Sequence, residues 1–237
     1  IWSIVWIALS MCFCGWVWHT KGPDKGLEFL TGYLIEYSLS VDNIFIFVLI
    51  FTHFKVPREY QHSVLFWGVL GALVMRGIMI GIGVILVQRF HWVMYLFGAF
   101  LLLTGLRMFF QKENDEEHLE NMWIMRWIKK VLPVTSTYEG KHFTVIRNGR
   151  RVFTPLAVVL IMVEFTDLIF ALDSIPAIFA VTKDPFIVYT SNVCAVLGLR
   201  SLYFLLANVM KKFIFLKAGL AVILSFVGIK MLIADIY

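Results

Sequence analysis

The chain has 237 residues, 60% of them hydrophobic and only 16% charged, with a formal net charge of +5 and a mean hydropathy of +0.82. Soluble domains carry about 45–50% apolar and ~25% charged residues, so a water-soluble fold is excluded. The excess of Lys and Arg lies mostly between apolar runs, where it sets membrane orientation, and this excludes a nucleic-acid surface.

Seven apolar runs follow one another: residues 1–18, 29–51, 63–87, 90–110, 153–182, 185–209 and 213–235. Each reaches or approaches the ~20 residues that a helix needs to cross a bilayer core of ~30 Å. None shows the ~10-residue alternation of a barrel strand. The expected fold is therefore all-α, a polytopic membrane protein of about seven spans forming a single membrane domain. The first run, rich in Trp, is expected to be a peripheral helix. The chain opens at Ile1 without Met or a basic leader, which reads as a trimmed start. Cys12, Cys14 and Cys194 all fall inside apolar runs and read as small buried residues, not as a disulfide framework or zinc site.

Between the fourth and fifth runs, residues 111–152 form the one extended polar stretch. It begins acidic (Glu113, Asp115, Glu116, Glu117, Glu120) and ends basic. Asn121–Leu132 has the composition of a short surface helix. Lys141–Phe153 predicts a hairpin that turns at Asn148-Gly149. On a seven-span arrangement this stretch shares a side with Lys55, Arg58, Lys211, Lys212 and Lys217. The other side has Lys21, Lys25, Arg89 and Lys183. The positive-inside rule then puts the loop and the amino end of the first span in the cytoplasm.

The runs on either side of the loop repeat one another. Glu36-x5-Asp42-Asn43-Ile44 aligns with Asp167-x5-Asp173-Ser174-Ile175. Gly71–Arg76 aligns with Ala195–Arg200, and Gly105-Leu-Arg107-Met108 with Gly228-Ile-Lys230-Met231. Three matches in register predict an internal repeat, residues 29–110 and 153–235. Each half has three spans, so the second is expected to enter the membrane inverted, as in many secondary transporters with a midplane site.

A carboxylate at the centre of a membrane helix costs roughly 2.5 kcal/mol or more on insertion scales. Five are present: Glu36, Asp42, Glu164, Asp167 and Asp173. The six-residue step between paired acids does not keep one helix face, so either the acids serve different neighbours or the helix is interrupted. Pro176 cannot donate to the carbonyl of Leu172 and gives a reason for interruption beside Asp173. Carboxylate, amide and hydroxyl oxygens are hard ligands, suited to Mg, Ca or Mn, and no His or Cys accompanies them. Asp42 and Asp173 are the candidate central ligands. Asn43 and Ser174 would assist, and Glu36, Glu164 and Asp167 would be auxiliary ligands or proton carriers. Against this stands a structural reading in which Arg76 and Arg200, also inside spans, neutralise the acids. Gly68, Gly71, Gly77, Gly81 and Gly83 are expected at close helix contacts, Asn192 and Asn208 in interhelical hydrogen bonds, and Arg107 and Lys230 as snorkelling residues near span ends.

The stretches Glu36–Phe45, Glu164–Thr182 and Thr190–Phe204 resemble the TerC family of membrane proteins, named for tellurite resistance, and the resemblance runs from about residue 25 to the end of the chain. It implies seven or more spans and, in several bacterial members, export of manganese. With no nucleotide-binding Gly-x4-Gly-Lys-Ser/Thr motif, the expectation is a secondary exporter of a hard divalent cation, exchanged against protons. The metal is cargo; no prosthetic group and no enzymatic activity are expected. The partners are the bilayer, the metal ion and protons. The alternatives are a membrane assembly or stress-response factor with structural acids, and an exporter of a small cationic amino acid.

Overall fold

At 1.5 Å per residue, the apolar runs are long enough to cross a bilayer only if they stay helical throughout. In the computed structural model the described residues of these runs are helical over most of their length. The structure describes residues 2–90, 92–110, 132–135, 137–147, 149–206 and 216–233. These form seven helices and a hairpin: α1 (Trp2–Lys21), α2 (Pro23–His53), α3 (Arg58–Arg89), α4 (Trp92–Phe110), β1 (Thr144–Arg147), β2 (Arg150–Phe153), α5 (Pro155–Phe179), α6 (Pro185–Leu206) and α7 (Leu216–Ile233). Five of the helices, α1, α2, α3, α5 and α6, are long and apolar enough to span a membrane, and α4 and α7 contribute shorter apolar segments. The chain is a multi-pass α-helical membrane protein.

Local sequence sets the helix ends. Pro23 and Pro155 begin α2 and α5 at positions where no amide donor is required. Helix α2 stops where Val56 donates its amide to the Phe51 carbonyl and Lys55 takes a positive φ of 50°. This is the left-handed stop usually given to glycine, with Pro57 just beyond it. Pro176 does not interrupt α5, contrary to expectation. The helix runs on to Phe179, because the proline sits in its last turn, where the lost bond affects the Leu172 carbonyl alone.

The helices pack in pairs. Helix α4 lies along α7, α2 along α6 and α5, and α3 along α5 and α6. Small residues bring α4 and α7 together: a Cβ on Gly228 would stand 2.6 Å from the Leu102 amide nitrogen, and one on Gly98 would stand 3.1 Å from the Gly228 carbonyl. Helix α1 rests on α2 and α6 from outside, burying Ser10, Cys14 and Val17 and leaving Trp2, Trp16 and Trp18 exposed. Cys12 therefore lies exposed rather than buried, since only one face of α1 meets the bundle. The glycines of α3 mostly do as expected: Gly68 meets Val163, Gly77 meets Tyr189 and Gly83 meets Phe179. Gly81 faces open space.

Beyond the membrane region, β1 and β2 pair antiparallel through Thr144–Phe153 and Arg147–Arg150, with Gly149 at φ 75° in the turn. The Thr154 hydroxyl donates to the His142 carbonyl at 2.7 Å, tying the hairpin to the start of α5. The Tyr138 hydroxyl donates to the Phe54 carbonyl at 2.7 Å, tying the loop to the end of α2. The expected surface helix at Asn121–Leu132 falls, apart from Leu132, outside the described residues.

Candidate functional site

Asp167 lies twelve residues from either end of α5, about 18 Å of helix on each side, at the middle of the span. Glu36 and Arg76 occupy the middle of α2 and α3. The three side chains meet. Arg76 donates from Nε to Asp167 Oδ2 at 3.0 Å and from Nη2 to Asp167 Oδ1 at 2.9 Å, the two-pronged geometry that a planar guanidinium offers a carboxylate. Its Nη1 pairs with Glu36 Oε1. Asn43 donates from Nδ2 to Asp167 Oδ1 at 3.4 Å. Burial is close to complete: Arg76 and Asn43 are 1% exposed, Asp167 2% and Glu36 0%. One arginine thus joins α2 to α5 through Glu36 and Asp167.

The surroundings are rich in oxygen without donors. Glu36 Oε2, Asn43 Oδ1, Ser40 Oγ and Ser174 Oγ are all buried and have no hydrogen-bond partner. Such atoms are rare and call for an occupant or a function. Positions 36, 40 and 43 fall on one face of α2, and 167, 171 and 174 on one face of α5. Gly32 lets the Ser191 hydroxyl of α6 come close to the same helix: a Cβ there would stand 3.0 Å from its oxygen. Asn192 is buried beside it in sequence, but its Nδ2 has no partner, so the expected interhelical bond is not made. A cavity of about 10 Å³ is lined by Phe47, Leu65, Gly68, Ala72, Val163 and Asp167 among others, close to the ~10–15 Å³ that one water needs.

The other predicted residues are placed as follows. Asp173, six residues beyond Asp167, turns to the Thr104 side chain of α4 and so serves a different neighbour from Asp167. The α5 helix stays continuous, so the six-residue step is explained by two partners and not by a break. Glu164 lies against α3 at Gly71, where a Cβ would overlap its carboxylate. Asp42 lies in α2 and Arg200 in α6, but their side chains are outside those described. Asn208 lies outside the described residues. Lys230 reaches the Ala180 carbonyl at 3.5 Å from an exposed position, and Arg107 is exposed. Among the described residues, no three acids, histidines or cysteines stand close enough to hold a metal ion between them. Sequence reasoning missed Ser40. The signal was there, since it falls between Glu36 and Asn43 at helical spacing.

Residues 21–237 match the model of the integral membrane protein TerC family. The chain belongs to the TerC family. A Salmonella typhi protein, provisionally named membrane-bound redox modulator Alx, is 54% identical over 244 residues, covering 100% of this chain and 76% of that one. An uncharacterized membrane protein of Myxococcus xanthus is 53% identical over 234 residues, 99% of this chain and 73% of the relative. A further uncharacterized membrane protein, from Rickettsia bellii, is 42% identical over 233 residues, 98% and 77% of the two chains. No solved structure matches. The family match takes in all three helices that carry the Arg76 cluster.

Proposed function

We propose that this TerC-family protein is a secondary transporter of the bacterial inner membrane that exports a hard divalent cation, manganese first, in exchange for protons. The observation that carries this reading is the set of buried, unpartnered oxygens on Glu36, Asn43, Ser40 and Ser174, gathered on mid-membrane helices beside a carboxylate pair. Oxygen-only donors select hard cations. Arg76 occupies the carboxylates in the state described, and binding of the cargo requires it to give way. Asp42 and Asp173, the repeat-related acids, are the central ligands in this proposal, with Asn43, Ser174 and Glu36 completing the set.

The test is Asp42→Asn and Asp173→Asn in cells challenged with manganese. Each mutant, expressed at the wild-type level, is expected to let intracellular manganese rise. Mutants that hold manganese as low as wild type would refute the ligand assignment. A second reading is favoured by the Arg76 contacts themselves: the acids are structural and the protein is an assembly or stress-response factor. Membrane redox modulation, the role in the provisional name of the Salmonella relative, would be one such function. That reading predicts that exchanging Arg76 and Asp167 for one another restores function, and that metal adds nothing to thermal stability.

A further inference from the structure

The hairpin is fixed at its base and bare at its tip. At the base, the Thr154 amide donates to the Phe143 carbonyl at 3.0 Å and the Phe153 amide to the Pro133 carbonyl at 2.9 Å. Phe143 also packs against the apolar core of the bundle. Helix α5 begins at Pro155, two residues after β2 ends. Four residues of strand cover ~13 Å, so the tip stays within that reach of the start of a membrane span. Charge at the tip exceeds its local partners. Arg147 and Arg150 face each other directly across the ladder, a pairing that repels when left alone. Glu139 takes Arg147 at 2.5 Å. Among the described residues, Arg150 and Arg151 have no acid partner, and both are exposed. Ile146 lies directly opposite Arg151, on the same face of the hairpin, and is 72% exposed.

Unpaired arginines beside an exposed apolar side chain, next to a span, suit a surface that meets lipid. The cations attract anionic headgroups, and the apolar side chain enters the boundary between headgroups and acyl chains. A guanidinium also matches a phosphate through two parallel N–H bonds. We infer that the β1–β2 hairpin is a lipid-binding surface, which docks Arg150, Arg151 and Ile146 onto anionic phospholipid headgroups of the membrane that the chain spans. Charge complementarity and position both choose this occupant: the headgroup layer lies beside the first turn of α5, while a soluble acidic partner gains nothing from an exposed isoleucine. The docking holds whatever the spans carry.

The test places the purified full-length protein in lipid nanodiscs of phosphatidylcholine or of phosphatidylglycerol. Amide hydrogen exchange over residues 144–153 is then followed by mass spectrometry. Exchange is expected to be slower in phosphatidylglycerol, by roughly 5-fold per engaged arginine, and the difference should shrink at high salt. Replacing both arginines, Arg150→Gln with Arg151→Gln, should remove the difference while exchange in phosphatidylcholine stays as in the wild type. Arg150→Lys with Arg151→Lys should keep much of it, because the charge remains. If the Gln pair unfolds the hairpin, Ile146→Asp takes its place: it sets a negative charge against the headgroups from an exposed position and should also remove the difference. Equal exchange of the wild type in the two lipids would overturn the proposal, as would a lipid difference that survives these variants. Slow exchange in both lipids that the Gln pair abolishes would overturn it too, by assigning the arginines to an acid of the protein itself.

Discussion

Removing the Arg76 side chain is the sharpest test of what holds α2, α3 and α5 together. Arg76→Met keeps much of the length and loses the charge and all three hydrogen bonds, two to Asp167 and one to Glu36. Both acids are then left buried, at 2% and 0% exposure, with no cation. Removing one partner of a buried ion pair costs about 3–5 kcal/mol, because the remaining charge is stranded. For a chain of this size each kcal/mol moves the melting temperature by roughly 2–4 °C, so Arg76→Met should melt about 6–20 °C below wild type in detergent. The triple variant Arg76→Met, Glu36→Gln, Asp167→Asn removes the stranded charges and should recover most of that loss. The assay is thermal unfolding followed by intrinsic Trp fluorescence. An Arg76→Met protein that melts with wild type, or a triple variant no better than the single one, would refute the claim that charge pairing stabilises this junction.

Glu36→Gln should cost less than Asp167→Asn, under ~1 kcal/mol against about 2–4 kcal/mol, because Asp167 holds the arginine fork by two bonds and Glu36 by one; the same melting assay ranks them, and a reversed order would contradict the geometry. Gly228→Ala drives a Cβ against the Leu102 backbone at 2.6 Å and should destabilise by ~1–3 kcal/mol as α4 and α7 are forced apart. Gly81→Ala, with nothing within 4 Å, should be neutral or stabilising by about 0.5–1 kcal/mol. Tyr138→Phe should cost ~1 kcal/mol at neutral pH through the lost bond to Phe54. Burial pushes the Tyr138 hydroxyl above its ordinary value of 10.0, so its contribution is full below that pH and disappears as pH rises through the folded-state value; melting curves of wild type and variant should converge there.

The spans were legible because a membrane helix has to be apolar over its whole crossing, and seven such runs stand out in the sequence. The acids were legible for the opposite reason, since each is costly where it sits. The identity of the partners was not legible. Arg76 and Asp167 are 91 positions apart, and nothing local says that Arg76 takes Asp167 and Glu36 while Asp173 faces Thr104. The Gly71 contact with Glu164 was also hidden, because a glycine that receives a carboxylate reads the same as one that receives a leucine. Pro176 misled for a positional reason: a proline breaks a helix only where enough helix follows it, and here three residues do.

The charge balance links the structural and the transport readings. Glu36 and Asp167 bring two negative charges to the membrane centre, and Arg76 brings one positive charge. If both acids are ionised, the cluster keeps one negative charge, at a cost of about 2.5–3.5 kcal/mol for a group at helix centre. A purely structural salt bridge has no use for that surplus, and one acid fewer would serve better. On the transport proposal, that surplus is met by a proton or a metal ion. Glu36 is the less firmly held of the two acids, with Oε2 free of any partner, and it lies on the helix that also carries Asp42 and Asn43. On the proposed transport reading, the arginine is the resident cation of an acid pair that accepts another. How far melting of the Glu36→Gln protein still responds to manganese separates the two readings, since a structural pair has no reason to respond at all.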